Sequence, residues 1–381
     1  MLTLQLSDLT LEEFLADYWQ QKPVLLRQGF PYFHDLLRPD ELAGLACEEQ
    51  ISSRLIYKKD QQWQAETGPF DNYGKLGHKD WTLVVQAVDH WSPEVARLVD
   101  AFSFLPTWRL DDVMISYATP GGGVGPHIDL YDVFICQGSG RRRWRVGARG
   151  PHRQFAAHPA LWHTEAFDAL IDVEVSSGDI LYIPPGFPHE GVSLENSMSF
   201  SVGFRSKSAR DMLSGLADYL IDEELGEALI SDPGRPLQTY PAQISRADVA
   251  ALRAQMQAVL DDDALVADFI AGFLSKTRNE LDLQELEEPL ESAQLAQQLQ
   301  QFGLVRTGGL RCFYVDEGWR DGVCHVDGQR RTFGAASASV VRVLCDQKRP
   351  DSAVLSAALE DADFAAALLA WVNQGYWYFD E

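Results

Sequence analysis

The spacing of apolar residues changes three times along this chain. Near the start, Leu11, Phe14, Leu15 and Tyr18 recur at helical intervals. They follow a Thr10-x-x-Glu13 pattern, in which each side chain satisfies the other residue's backbone N–H. A helix is expected there. Residues 30–105 are rich in tryptophan and proline and mix short helical and loop signals. From 112 to about 205 the texture shortens. The runs VMISY, DVFICQ, RRRWRV, DILYIP and SMSFSVGF are separated by glycine and proline clusters, which predicts a β-sandwich or barrel without βαβ alternation.

Helical spacing returns from 206 to 282. One stripe is Met212, Leu216, Leu220 and Leu225; another is Val249, Leu252, Met256, Val259 and Leu260. DPGRP at 232–236 separates them. QELEEPLE at 284–291 reads as a linker. Beyond it come a helix (SAQLAQQLQQFG), strands LRCFYV and GVCHVD, three helical stretches between Ala335 and Gly375, and a closing YWYF strand. The expectation is an α+β chain in three parts: 1–205 a β-sandwich or barrel, 206–283 helical, and 284–381 a small winged-helix-like module.

Composition narrows the function classes. The chain has 381 residues, more than one ordinary core, and a net charge of −24. Such a chain repels phosphate backbones and suits a basic partner. Residues 207–300 alone hold 18 acidic against 7 basic side chains, read as a solvated helical surface. Winged helices often bind DNA, but DQKRPDS and LEDADF place acids among few bases, so no direct nucleic-acid binding is expected and docking or structure is the better role. Five cysteines, odd in number and without a CxxC pair, argue against a disulfide framework or a zinc–cysteine site, and for a reducing compartment. The N-terminus lacks a basic signal region, and no run approaches the ~18 apolar residues a membrane span needs. The expected location is the cytoplasm.

Two windows carry chemistry. In GGGVGPHIDLYD (121–132), His127 and Asp129 are two residues apart, so on a strand both side chains point to one face. In GDILYIPPGFPHEG (178–191), a glycine turn, a strand and a Pro-Pro-Gly turn lead to His189. The string G-x5-P-x-G-x2-H resembles the second motif of the cupin superfamily, whose histidine returns to the same metal. The first cupin motif is only partly present, with Asp129 where its second histidine would stand. Two histidines and one carboxylate on one face leave three octahedral positions open, as non-haem Fe(II) oxygenases need for a chelating co-substrate and dioxygen. In RRRWRV, alternation puts Arg142, Trp144 and Val146 on the barrel face and Arg141, Arg143 and Arg145 outside, after QGSG read as a hairpin turn. An interior Arg142 needs an anion. The distal carboxylate of 2-oxoglutarate supplies one, in a bidentate pair, with Ser116 adding a hydroxyl; Asp112 and Asp179 are the internal alternatives.

With these residues in view, the chain resembles the JmjC-type ribosomal oxygenases of the cupin superfamily. It is most similar to their bacterial branch, arginine hydroxylases acting on large-subunit ribosomal protein sixteen. The resemblance runs through WQQKPVLLR (19–27), DNYGKLG (71–77), WTLVVQAVDHW (81–91), DDVMISYATPGGGVGPHIDLYDVF (111–134), GRRRWRV (140–146), SVGFR (201–205) and SGLADYL (214–220), as well as 178–191. It implies a double-stranded β-helix, or JmjC jelly roll, then a helical dimerisation region and a C-terminal winged helix. It assigns Fe(II) to His127, Asp129 and His189, and the 2-oxoglutarate carboxylate to Arg142 and Ser116. Other branches carry lysine at the Arg142 position. The implied reaction uses dioxygen to hydroxylate an arginine side chain of a basic ribosomal protein, and the implied assembly is a homodimer. The rival readings are a histidyl hydroxylase or lysine demethylase of another protein, a winged-helix regulator that senses 2-oxoglutarate, and a metal-binding cupin module without turnover.

Overall fold

The computed structural model describes residues 2–315, 322–334 and 337–380. The chain divides into two compact units. The first comprises Met1–Ser206, Arg278–Asp282 and Thr307–Gly309; the second comprises Lys207–Thr277, Leu283–Arg306 and Leu310–Glu381.

The first unit is built on fourteen strands: β1 (Val24–Leu26), β2 (Ser53–Lys59), β3 (Gln62–Thr67), β4 (Trp81–Val85), β5 (Leu110–Ala118), β6 (His127–Ile128), β7 (Asp132–Gln137), β8 (Arg142–Gly147), β9 (Gln154–His158), β10 (Leu161–Thr164), β11 (Ala169–Val175), β12 (Ile180–Ile183), β13 (Pro188–Ser193) and β14 (Ser197–Phe204). Eight form one antiparallel sheet in the order β1-β12-β7-β14-β5-β4-β2-β3; four form another, β11-β8-β13-β6; β9 and β10 make a third pair. This is the expected jelly roll, with short helices α1 (Leu11–Asp17), α2 (Pro39–Leu45) and α3 (Pro93–Ala96) beside it. The Thr10–Glu13 capping box that starts α1 forms as its sequence predicts.

Two expectations need correction. Residues 30–105 contribute three strands, β2, β3 and β4, to the large sheet. Their apolar residues run consecutively, as in Leu55–Ile56 and Leu83–Val84–Val85, because both faces of the strand are covered; period-two alternation is lost. QGSG is not a hairpin turn. The strand before it, β7, pairs with β12 and β14, and the strand after it, β8, pairs with β11 and β13. The segment crosses from one sheet to the other, as closure of a double sheet requires.

Alternation divides two interiors. On β7, Phe134 and Cys136 join the cluster under the N-terminal helices, while Val133 and Ile135 join Trp144, Val146, Leu181 and Ile183 of a second cluster. On β14, Phe200, Val202 and Phe204 take the first face. Ser199 and Ser201 take the second and line the cavity. Phe134 lies at the aromatic centre, with Phe102 at 4.7 Å and Tyr182 at 4.8 Å between ring centroids. The polar counterpart is Asp132, which accepts the Tyr182 hydroxyl at 2.6 Å and the Gln20 amide at 3.0 Å, pinning WQQKPVLLR to the sheet.

The second unit contains α4 (Ala209–Asp222), α5 (Arg246–Leu260), α6 (Asp263–Ser275), α7 (Ser292–Gln301), β15 (Gly303–Arg306), β16 (Cys312–Phe313), β17 (Val323–Val326), β18 (Gln329–Thr332), α8 (Ala338–Asp346), α9 (Ser352–Ala358), α10 (Ala362–Asn373) and β19 (Trp377–Asp380). The closing strand pairs with β15, and β16-β17-β18 form a small wing. Strands β15 and β18 are additions to the sequence expectation, and the start of the helical stretch at Ala335 lies outside the described residues. Trp371 and Trp377, with ring centroids 5.2 Å apart, are among its largest buried side chains. No helix among the described residues is long and apolar enough to cross a membrane.

Replacing Phe134 with alanine should lower the unfolding free energy by about 3–5 kcal/mol, the cost of a large cavity in a packed core. An earlier urea midpoint for the strand-rich unit is the expected reading; an unchanged midpoint contradicts the central placement of this ring.

Candidate metal centre

Strand register builds the site. In the small sheet β13 lies between β6 and β8, with His189 directly opposite His127 on β6 and opposite Val146 on β8. Asp129 follows β6 by one residue. The two imidazole centroids are 4.2 Å apart. Asp129 Oδ2 lies 3.7 Å from His127 Nε2 and 3.6 Å from His189 Nε2. Each ring is oriented through its other nitrogen: His127 Nδ1 lies 2.9 Å from the Gly125 carbonyl and His189 Nδ1 lies 3.0 Å from the Phe187 carbonyl. A carbonyl can only accept, so each Nδ1 carries a proton and each Nε2 is the atom turned toward Asp129 and free to take a metal.

Local sequence explains the geometry. Gly125 has φ +82°, and a Cβ there would stand 2.3 Å from the His163 ring. Gly191, two residues beyond His189, faces Trp144 across the strands, and a Cβ there would meet the indole at 2.7 Å. Both positions must be glycine for the ligand strands to close on the cavity.

The electrostatics suit a cation. Burial works against an ionised Asp129, yet the two imidazoles and the Tyr131 hydroxyl outweigh it and hold the carboxyl down at about 2. Burial would lower His127, but the Asp129 carboxylate reverses the effect and raises it. Burial and the neighbouring His127 bring His189 down to about 4. His189 is 2% exposed, whereas the His127 and Asp129 side chains keep 23% and 22% open. The three ligand atoms lie within 4.8 Å of one another, a two-nitrogen, one-oxygen donor set that fits a divalent transition metal.

Arg142 shares the cavity, which has a volume of about 200 Å³. As alternation predicts, Arg142, Trp144 and Val146 are buried, and Arg143 faces outward to Asp172. Neither internal alternative partners Arg142: Asp112 accepts from Gln86 and the Ala87 amide, and Asp179 from Arg27 and the Gln28 amide. The guanidinium instead donates to neutral oxygens. Nε reaches Ser197 Oγ at 2.8 Å, Nη1 reaches Ser116 Oγ at 2.9 Å, and Nη2 reaches the carbonyls of Ser116 and Ser197 at 3.0 and 3.2 Å. No carboxylate among the described residues pairs with it. Burial alone therefore pulls its pKa to about 9. One Nη1–H and the Ser116 O–H remain to donate. Trp144 Nε1 and Thr82 Oγ1, also in the cavity wall, are buried without a protein partner among the described residues. Four polar groups thus await a small polar molecule.

Sequence reasoning did not single out Ser197, Tyr131 or Gly191. The alternation in SMSFSVGF could have placed Ser197 on the cavity face; Tyr131, beside Asp129, had no signal of its own.

Comparisons agree with this arrangement. Residues 97–212 match the family model described as the JmjC domain, and residues 258–378 match the ROXA-like winged helix. The chain is 44% identical, over 97% of both lengths, to the Escherichia coli ribosomal protein uL16 3-hydroxylase. It is 33% identical to a probable ribosomal oxygenase of Haemophilus influenzae, over 72% of this chain and 70% of that one. Its structure superposes on E. coli YcfD with a TM-score of 0.94 at 43% identity, covering 99% of this chain and all of the other. A YcfD structure in complex with cobalt and 2-oxoglutarate matches with a TM-score of 0.92 at 41% identity, covering both chains in full. A sandwich with two histidines and a carboxylate facing a buried arginine, joined to a winged helix over matching lengths, places this chain in the JmjC-type ribosomal oxygenases, a family of 2-oxoglutarate-dependent enzymes.

Proposed function

We propose that this chain is an Fe(II)- and 2-oxoglutarate-dependent hydroxylase of ribosomal protein uL16, acting on an arginine side chain. The observation that carries the reading is Arg142. A buried guanidinium ringed by neutral oxygens, with no carboxylate partner among the described residues, sits in one cavity with two histidines and an aspartate. An unpaired interior cation is costly unless a ligand supplies the anion. One E. coli relative is named for uL16, and the structure of E. coli YcfD, a ribosomal oxygenase, holds cobalt, a stand-in for iron, together with 2-oxoglutarate.

In this reading His127, Asp129 and His189 hold the metal, and Arg142 with Ser116 holds the distal carboxylate of 2-oxoglutarate. With both bound, the centre supplies dioxygen activation coupled to decarboxylation, inserting one oxygen into a C–H bond. The protein's share is placement. The carbonyls of Gly125 and Phe187 orient the imidazoles. Ser197 holds Arg142 by both its hydroxyl and its carbonyl. Trp144, Ile135 and Val133 in the wall keep the cavity apolar around these few polar groups. No side chain needs to act as a general base for a C–H step. A net charge of −24 steers a basic ribosomal protein toward the enzyme.

We further propose cytoplasmic action as a homodimer without direct nucleic-acid binding, with 1–205 the catalytic domain, 206–283 the dimerisation region and 284–381 the winged helix. The support for the dimer is the stripe Val249, Leu252, Met256 and Leu260 on α5, where all four side chains are 43–65% exposed. Such a row in water is a candidate interface.

Four outcomes test these readings. Incubation with Fe(II), ascorbate, 2-oxoglutarate and uL16 should add one oxygen to an arginine-containing peptide by mass spectrometry. His127→Ala or Asp129→Ala should abolish this while the circular dichroism stays native; retained turnover removes the metal assignment. Arg142→Ala should raise the 2-oxoglutarate requirement by at least ~30-fold, equivalent to roughly 2 kcal/mol for a lost buried charge pair; an unchanged requirement moves the carboxylate site elsewhere. Met256→Asp should shift the sedimenting species from dimer to monomer, and a wild-type monomer discards the interface.

A further inference from the structure

Three cysteines far apart in sequence meet in the second unit. Cys312 is on β16, Cys324 on β17 and Cys345 on α8. Their relative exposures are 4%, 0% and 6%. The three Sγ atoms lie within 4.8 Å of one another, and those of Cys312 and Cys345 approach to 2.9 Å. All are free thiols.

Cysteine is often buried simply as a small hydrophobe. Cys136 is this chain's example: it sits in the wall of β7, its Sγ reaches only the Phe134 carbonyl, and burial pushes its thiol up. The second-unit cluster differs. Apolar packing has no need for sulfurs to converge, yet three separate elements aim theirs at one point. The shortest pair is well beyond the ~2.05 Å of a disulfide. A metal–thiolate site with bonds of about 2.3 Å holds its sulfurs about 4 Å apart, so Cys312 and Cys345 would part by about 1 Å to admit an ion.

A cation adjoins the cluster. Arg306 Nη1 donates to the Cys345 carbonyl at 2.6 Å, which places a guanidinium beside the cluster. The absence of a CxxC pair, which argued against such a site, says nothing of ligands brought together by tertiary folding.

We propose that Cys312, Cys324 and Cys345 form a second metal centre, a three-thiolate site for a thiophilic d10 cation, zinc(II) or copper(I). Thiolate sulfur selects these cations. Three ligands complete a trigonal copper(I) site or leave one tetrahedral position of zinc(II) to another donor. Each thiol gives its proton to solvent as its sulfur–metal bond forms, and no electron changes hands. The bound ion ties β16, β17 and α8 together, a structural role. The inference stands apart from the hydroxylase reading.

The test uses the full chain, reduced, stripped of metal and kept anaerobic, and titrated with cobalt(II). Two equivalents should bind, with sulfur-to-cobalt charge-transfer absorption in the near ultraviolet. Histidine and carboxylate ligands cannot produce that band. Zinc(II) or copper(I) should bleach it, and the one that does so at lower free concentration identifies the cation. His127→Ala should keep the band; Cys324→Ser should lose it together with one equivalent. If only one equivalent binds, without charge transfer and without further uptake of zinc(II) or copper(I), the proposal fails. A band of unchanged intensity in Cys324→Ser also overturns it. The wild-type titration decides the matter even where a cysteine variant misfolds.

Discussion

The catalytic unit depends on the register of β13 against its two neighbours. His189 faces His127 on one side and Val146 on the other; Gly191 faces Trp144, and Ser193 faces Arg142. One strand therefore sets both ends of the site, the three-ligand cluster and the guanidinium four residues along, about 13 Å of extended chain apart. A slip of one residue would turn His189 away from the cavity and present Pro188 or Glu190 instead. What prevents the slip is packing. Gly191 is the one position on β13 with no room for a side chain, since the Trp144 indole fills that space. This glycine thus specifies the alignment.

The large sheet solves a related problem. Its strands β5 and β14 carry Val113, Ile115, Phe200 and Val202 on one face, inside the aromatic core, and Ser116, Ser199 and Ser201 on the other, in the cavity. A wall of small hydroxyl side chains leaves room that leucine or phenylalanine would fill. It also leaves the Ser116 O–H without an acceptor among the described residues. The Phe134 cluster on the opposite face supplies the packing that this open face gives up.

How much of this was legible depends on how local each signal is. His127, Asp129 and His189 were readable because their geometry is local: a two-residue step along a strand, and a turn held by glycines at 178 and 186, both with positive φ. Arg142 was readable because β8 has one wet and one dry face, so alternation survives. Strands β2 and β4 were not, because burial on both faces erases period two. The crossing at QGSG was not, because a four-residue segment rich in glycine serves a hairpin and a sheet-to-sheet passage equally well. Ser197 acts through its carbonyl as much as its hydroxyl, and a carbonyl has no residue type. The cysteine cluster is the extreme case: ligands at 312, 324 and 345 have no short spacing to detect and are joined only by the tertiary fold.

Donor chemistry keeps the two centres distinct. The sandwich offers two imidazole nitrogens and a carboxylate oxygen; the second unit offers three sulfurs. By the usual stability order zinc(II) binds nitrogen and oxygen donors more tightly than iron(II) does, so affinity alone would let zinc take the place of iron at a two-histidine, one-carboxylate site. Thiolate is the softer ligand and competes for zinc(II) and copper(I) far better than for iron(II). A chain that carries both donor sets therefore offers a thiophilic ion a stronger site than the sandwich does. The sulfur cluster takes the thiophilic ion, whose structural use needs no open position. The sandwich, with about a fifth of the His127 and Asp129 side-chain surfaces exposed, keeps the accessible coordination sphere that chemistry on dioxygen demands.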